Sequence, residues 1–182
     1  MSPQREIEIK LEVSDPRAFK QRLKKLGFRR ISPRRFEQNW LFDFRDSSLR
    51  HRQCALRLRL AGGQGSITFK GVRSGPARFK VRDEIETKVA DARQARKILQ
   101  SLGLREVFRY KKYRTLYAAQ PPSGILAFDE TPVGDFIELE GPGRWIDSTA
   151  RTLGYWRSDY ITASYPALYS VRRNKARVEG CS

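Results

Sequence analysis

Between Arg5 and Val13 the chain alternates without exception. Glu6, Glu8, Lys10 and Glu12 take the even positions, and Ile7, Ile9, Leu11 and Val13 the odd ones. Successive side chains of an extended strand point to opposite faces, so this stretch predicts a strand with one charged and one apolar face. The alternation then recurs with the signs changed. Leu56, Leu58 and Leu60 oppose Arg57 and Arg59, Ile67 and Phe69 oppose Thr68 and Lys70, and Phe79 to Lys88 collects Lys80, Arg82, Glu84, Glu86 and Lys88 on a single face. Val107 to Ala118, with Lys112 and Arg114 on one side, Ile125 to Thr131, containing Asp129, and Asp135 to Glu140, with Glu138 and Glu140 opposite Ile137 and Leu139, are also extended. The aromatic-rich run Phe36 to Phe44 makes the eighth strand candidate. Gly62-Gly63-Gln64-Gly65 and Pro132-Val133-Gly134 read as hairpin turns.

Helical spacing appears between these runs. Ser14-Asp15-Pro16 offers a cap before Phe19, Leu23 and Leu26, and Gly27 ends that helix. Asp91 opens a second with Ala95, Ile98, Leu99 and Leu102, closed by Gly103. Arg144 to Leu153 and Ala163 to Val171 are further helical segments. Residues 172–182 read as a frayed basic tail on a single domain spanning 1–171. Arg45 to Gln53 reads as a polar link, with the single histidine, His51, as a loop residue.

One charged strand face is ordinary on a half-buried sheet whose other side is in water. Five or more such faces are not, because their aliphatic sides all need cover and only about four helices are available. An α+β arrangement resolves this: eight antiparallel strands close into a barrel with a charged interior, and the helices pack outside it. The interior would mix the cations Lys10, Arg57, Arg59, Lys70, Arg82, Lys112 and Arg114 with the carboxylates Glu6, Glu8, Glu84, Glu86, Asp129, Glu138 and Glu140. Unpaired charges in a low dielectric cost several kcal/mol each, so such a lining calls for water or a ligand. A polyphosphate with Mg²⁺ or Mn²⁺ satisfies both signs: Arg and Lys bind phosphate oxygens, and the metal bridges phosphate to carboxylate.

Composition narrows the partners. The formal net charge of +17 implies a polyanion, which could be nucleic acid, an anionic membrane surface or a phosphorylated small molecule. Cys54 and Cys181 form neither a metal-type cluster nor a disulfide framework, which suits a reducing cytoplasm. No stretch approaches the roughly eighteen apolar residues of a membrane helix, and the N-terminus shows no apolar signal region. A cytoplasmic monomer or homodimer is expected.

The ordered set Glu6-x-Glu8-x-Lys10, Leu56-Arg57-Leu58-Arg59, Thr68-Phe69-Lys70, Arg82-x-Glu84-x-Glu86, Asp129 and Glu138-x-Glu140 resembles the CYTH superfamily, the triphosphate tunnel metalloenzymes, over roughly residues 5 to 141. Gln38 to Asp43 and Ile161 to Tyr165 look most like its bacterial branch of class IV adenylyl cyclases and thiamine-triphosphatase-like proteins. The resemblance implies a tunnel in which Mg²⁺ or Mn²⁺ is held by Glu6, Glu8, Asp129, Glu138 and Glu140, with Glu84 and Glu86 contributing. Lys10, Arg57, Arg59, Lys70, Arg82 and Arg114 would hold the phosphates, with Lys112 beside them. A further basic residue near the C-terminus has no clean match among Arg172, Arg173 and Lys175. The expected activity is metal-dependent hydrolysis of a triphosphate, with Glu6 and Glu8 in the catalytic set and Lys10 assisting the attacking water if its neighbours lower its pKa. Two alternatives stand beside it: cyclisation of ATP, and non-catalytic binding of polyphosphate or nucleic acid through the basic surface.

Overall fold

The computed structural model describes the backbone of residues 4–179 and the side chains of residues 5–172. Eight strands, β1 (Gln4–Val13), β2 (Arg29–Asp43), β3 (Ala55–Ala61), β4 (Gln64–Lys70), β5 (Lys80–Val89), β6 (Arg105–Ala118), β7 (Ile125–Thr131) and β8 (Gly134–Glu140), close into an antiparallel barrel. The order around it is β1-β5-β4-β3-β2-β6-β7-β8. Closure leaves no free sheet edge, and it buries both faces of β1. Ile9 and Leu11 are fully buried outside the barrel wall, while Glu8 and Lys10 are almost as deeply buried within it.

The helices α1 (Pro16–Lys25), α2 (Ser48–His51), α3 (Ala92–Ser101), α4 (Gly143–Thr152) and α5 (Tyr165–Glu179) lie outside the wall. Their apolar sides complete separate cores. The largest joins Ile9, Leu11, Leu126, Phe128, Ile137 and Leu139 to Phe19 and Leu23 of α1 and Ile146 and Ala150 of α4. A second sets Ala95 and Leu99 of α3 against Trp40, Phe42 and Leu58. The third is aromatic, with Tyr165 of α5 among Tyr110 and Phe136. The caps are those the sequence predicts: the Asp15 carboxylate accepts from the Ala18 amide at 2.9 Å, and Asp91 accepts from the amides of Arg93 and Gln94. Between β3 and β4 the turn is Gly62-Gly63, with φ of 55° and 82°. Positive φ at both central positions is the geometry of a two-residue hairpin, and glycine adopts it freely.

Three elements differ from the sequence reading. β2 begins at Arg29, seven residues before the expected start, running through Pro33 with register shifts at Arg30/Ser32 and Ser32/Arg35. The polar link contains α2, whose start is fixed by Asp43 accepting from the amides of Phe44, Leu49 and Arg50 at 2.8, 2.9 and 3.0 Å. His51 is therefore an exposed helix end and not a loop residue. α5 continues past Val171 as far as Glu179, so the run read as a tail is helical up to that point. Cys181 and the side chains of Arg173 and Lys175 lie outside the described residues. Among the described residues, no helix is long and apolar enough to cross a membrane.

Candidate active site

Strand parity aims one side chain in two into the barrel, and register sets which of them meet. Glu8 stands level with Lys80 on β5 and Glu140 on β8, Lys10 with Glu138, Lys70 with Glu84, and Arg114 with Asp129. The result is one cavity of about 1190 Å³. All seven expected cations line it: Lys10, Arg57, Arg59, Lys70, Arg82, Lys112 and Arg114. So do Glu6, Glu8, Glu84, Glu86, Glu138 and Glu140. Asp129 does not. It is fully buried behind Lys112, Arg114 and Tyr165, accepting from Lys112 Nζ at 2.8 Å, from Arg114 Nε at 2.6 Å and from the Tyr165 hydroxyl. Glu12, on the charged face of β1, is also outside the cavity, paired with Arg172 at the exterior.

The lining is an ion-pair lattice. Lys70 Nζ lies 2.6 Å from Glu6 and 2.8 Å from Glu84. Arg57 donates to Thr68 Oγ1 at 3.0 Å and lies 3.5 Å from Glu86, and Thr68 donates on to Glu86 at 2.6 Å. Lys10 Nζ sits 3.3 Å from Glu8 and 3.2 Å from Glu138, while Lys80 contacts Glu8 and Arg114 contacts Glu138 directly. Titration follows from these neighbours. Burial, together with Glu8 nearby, pushes Glu6 up to about 8 despite Lys70, because that one ammonium is shared with Glu84. Burial also raises Glu140, helped by Glu8 and Glu138. Glu8 and Glu138 go the other way: burial opposes their ionisation, but Lys10 and Lys80 around Glu8, and Arg114 and Lys10 around Glu138, hold both well below the usual carboxylate range.

Lys10 departs from its expected role. Burial alone would lower its pKa, but Glu138 and Glu8 overcome that and raise it above the ordinary lysine value, so in this state it is a fixed ammonium and not a base. Lys80 is the lysine whose pKa falls, to about 8, because burial outweighs its contact with Glu8.

Sequence reasoning missed several lining or supporting residues. Glu37 and Asn39 are buried at the register positions of Lys112 and Arg59, and Asn39 Oδ1 accepts from Arg59 Nε at 3.1 Å. Both share parity with Leu41 on β2, a signal available in the sequence. Tyr110 both packs against Tyr165 with ring centroids 5.4 Å apart and lines the cavity. Tyr165 sits at the start of α5, its ring 4.8 Å from Lys112 Nζ, and no strand alternation marks it. Arg50, Arg73 and Arg105 extend the cationic lining toward the ends of β2, β4 and β6.

No three acidic side chains among the described residues converge as a ready-made metal group, and Glu6, Glu8 and Glu138 are each drawn to a lysine or arginine. The donor set still fits a hard dication. Glu6, Glu8 and Glu84 offer only oxygen ligands, and added positive charge would offset the burial and the neighbouring Glu8 that raise Glu6. The buried Nε donors of Arg57 and Arg82 have no acceptor among the described residues, which fits a phosphate oxygen.

A closed barrel with a charged bore, packed from outside, defines a tunnel protein built to hold a polyanion together with cations. The CYTH domain profile matches residues 4–150, and the chain belongs to the CYTH family, whose enzymes are metal-dependent and act on triphosphate compounds. A Methanocaldococcus jannaschii protein named a putative adenylate cyclase is 34% identical over 135 residues, which cover 74% of this chain and 75% of that protein. Solved structures share the fold. The PH1819 protein of Pyrococcus horikoshii superposes with a TM-score of 0.78 at 22% identity, covering 92% of this chain and 99% of that one. A Vibrio parahaemolyticus protein named a putative adenylate cyclase gives 0.77 at 18%, again over 92% and 99%. A Hippeastrum protein titled a putative adenylyl cyclase with a dominant triphosphatase activity gives 0.67 at 19%, over 91% and 95%.

Proposed function

We propose that this protein hydrolyses a triphosphate inside the barrel, with Mg²⁺ or Mn²⁺ as cofactor. The observation that carries the reading is the convergence of all seven expected cations on one cavity that also holds six of the seven expected carboxylates. Arg57, Arg59, Lys70, Arg82, Lys112 and Arg114 would clamp the phosphate chain, the arginines in a planar fork and the lysines as point charges. Glu6, Glu8 and Glu84, with Glu138 and Glu140 beside them, would hold the metal. When bound, that ion offsets the phosphate charge and orients water. Asp129 keeps Arg114 and Lys112 aimed at the chain. Lys10, held as an ammonium, supports the charge that develops on the phosphoryl oxygens. Catalysis in this scheme is positional and electrostatic.

A second reading is cyclisation of ATP. The name of the 34%-identical relative supports it, and so does the size of the cavity, which exceeds what a triphosphate alone would fill, with Leu41, Ile85, Val107 and Phe108 in its lining. Hydrolysis stands first because the assigned cations all suit phosphate, and no comparable set among the described residues reads adenine. The deciding measurement is side-by-side product analysis of inorganic triphosphate, thiamine triphosphate and ATP with Mg²⁺ and with Mn²⁺. Orthophosphate and diphosphate from inorganic triphosphate are expected. Cyclic AMP as the dominant product, with inorganic triphosphate inert, would put the cyclase first.

A further inference from the structure

The barrel interior pairs its cations with carboxylates nearly one for one, so the net charge of +17 must be carried mostly outside. Its densest part is a single stretch. Between Pro16 and Phe36 there are nine Lys or Arg and no Asp or Glu. All nine are exposed, and among the described residues only Arg34 has a carboxylate partner, Glu130. The stretch folds as α1 followed by the early half of β2, so the charges lie along one helix and the strand that leaves it. Beside them β6 adds exposed Arg109 and Lys111.

This basic strip also carries exposed rings. Phe36 and Tyr113 face each other across β2 and β6 with centroids 5.1 Å apart, and they are 40% and 38% exposed. The Arg34 guanidinium lies 3.3 Å from the Tyr113 ring centroid, and Lys111 Nζ 6.0 Å from that of Phe36. Ile31, nearby on β2, is 56% exposed.

We propose that the outer face formed by α1, the early half of β2 and the facing part of β6 binds single-stranded nucleic acid. The cations suit a phosphate backbone, and aromatic rings flanked by cations on a sheet surface suit unpaired bases. An anionic membrane is the competing polyanion, but it is disfavoured by α1 itself. The apolar residues that an interfacial helix would lay into lipid, Phe19 and Leu23, are already buried in the core.

The test uses the full chain and a 5′-hydroxyl RNA of about 20 nucleotides, long enough for several contacts yet lacking any triphosphate end. Binding is followed by fluorescence anisotropy across a salt series. A linear fall of log affinity with log salt is expected, with a slope of about −0.7 for each phosphate contacted. The triple variant Lys24→Glu/Arg29→Glu/Arg30→Glu should bind about tenfold or more weakly with a flatter slope. Phe36→Ala/Tyr113→Ala should weaken binding with the slope unchanged, which keeps the proposal testable if the charge variant misfolds. Equal binding by both variants, displacement of the RNA by inorganic triphosphate, or preference for phosphatidylserine vesicles over RNA would each overturn it.

Discussion

On the wall made by β5, β4 and β3, together with Glu6 of β1, Lys70 is shared between two carboxylates, Thr68 passes a hydrogen bond from Arg57 on to Glu86, and Glu6 is pushed up to about 8 by burial. On the opposite wall of β2, β6, β7 and β8, Asp129 receives three donors, and Arg114 is raised well above its ordinary value because Asp129 and Glu138 outweigh the burial that would lower it. Lys112 and Arg59 hold Glu37 below the usual carboxylate range against the same burial. Similar side chains thus reach opposite states. On the first wall Glu6 and Glu84 share the one Lys70 ammonium, and the proton that Glu6 retains leaves room for a dication in its place. On the second, Asp129, Glu138 and Glu37 fix Lys112 and Arg114 in place before any ligand arrives. Tightly held cations on one wall, facing an adaptable carboxylate pair set among Arg57, Arg59, Lys70 and Arg82 on the other, suit a metal-bound polyanion.

The contrast can be broken most severely at Asp129. Asp129→Ala removes the buried acceptor that Lys112 and Arg114 share, leaving Arg114 with Glu138 alone, and should cost about 3–5 kcal/mol of stability in denaturant unfolding. An effect below about 1 kcal/mol would mean the second wall is not a fixed lattice. Glu6 tests the first wall. It keeps its proton to higher pH folded than unfolded, so its contribution is full below about pH 4.5, declines as pH rises, and is gone above about pH 8. Thermal melts in chelator should show a loss on the order of 2–4 kcal/mol across that window. Glu6→Gln should flatten the profile, and an unchanged slope in the variant would assign the loss elsewhere.

Function is the next level of the same test. If Arg57 clamps phosphate, Arg57→Ala should lower kcat/KM on inorganic triphosphate by about ten- to a hundredfold, since a charged contact is worth roughly 1.5–3 kcal/mol. Unaltered kinetics would remove Arg57 from the clamp. The smallest effect belongs to Thr68→Val, which deletes the link between Arg57 and Glu86 and should cost about 1 kcal/mol of stability. A neutral result would show that the arginine keeps its place without that link.

Alternation made the barrel legible in the sequence, because β1, β3, β4, β5 and β8 each divide cleanly by parity and the charged faces all needed one interior. It failed where the period is broken. The first half of β2 carries Pro33 and two register shifts, so its residues do not repeat on a two-residue step, and the strand was read seven residues short. Glu37 and Asn39 obey the period but stand among aromatics that drew attention to packing. α2 is one turn held by the side chain of Asp43, too short for helical spacing to register. Tyr165 reaches the site from a helix, at a distance along the chain that no local pattern reports. The role given to Lys10 changed because a lysine's acidity depends on which carboxylates the register sets beside it, and the order of residues in β1 does not state that.

Most of the apolar mass that holds this protein together lies outside the barrel wall, in two clusters under α1, α4 and α3, while the third, with Tyr110 and Tyr165, reaches the bore. Residues of the bore alternate with residues of those clusters along each strand, so a mutation in the bore meets solvent and charge where a mutation one position away meets packed hydrocarbon. Much of the fold's packing is therefore carried by residues other than those of the bore, with buried ion pairs such as Asp129 and Arg114 belonging to both. Substitutions in the bore that spare those pairs leave the packed clusters under α1, α3 and α4 untouched.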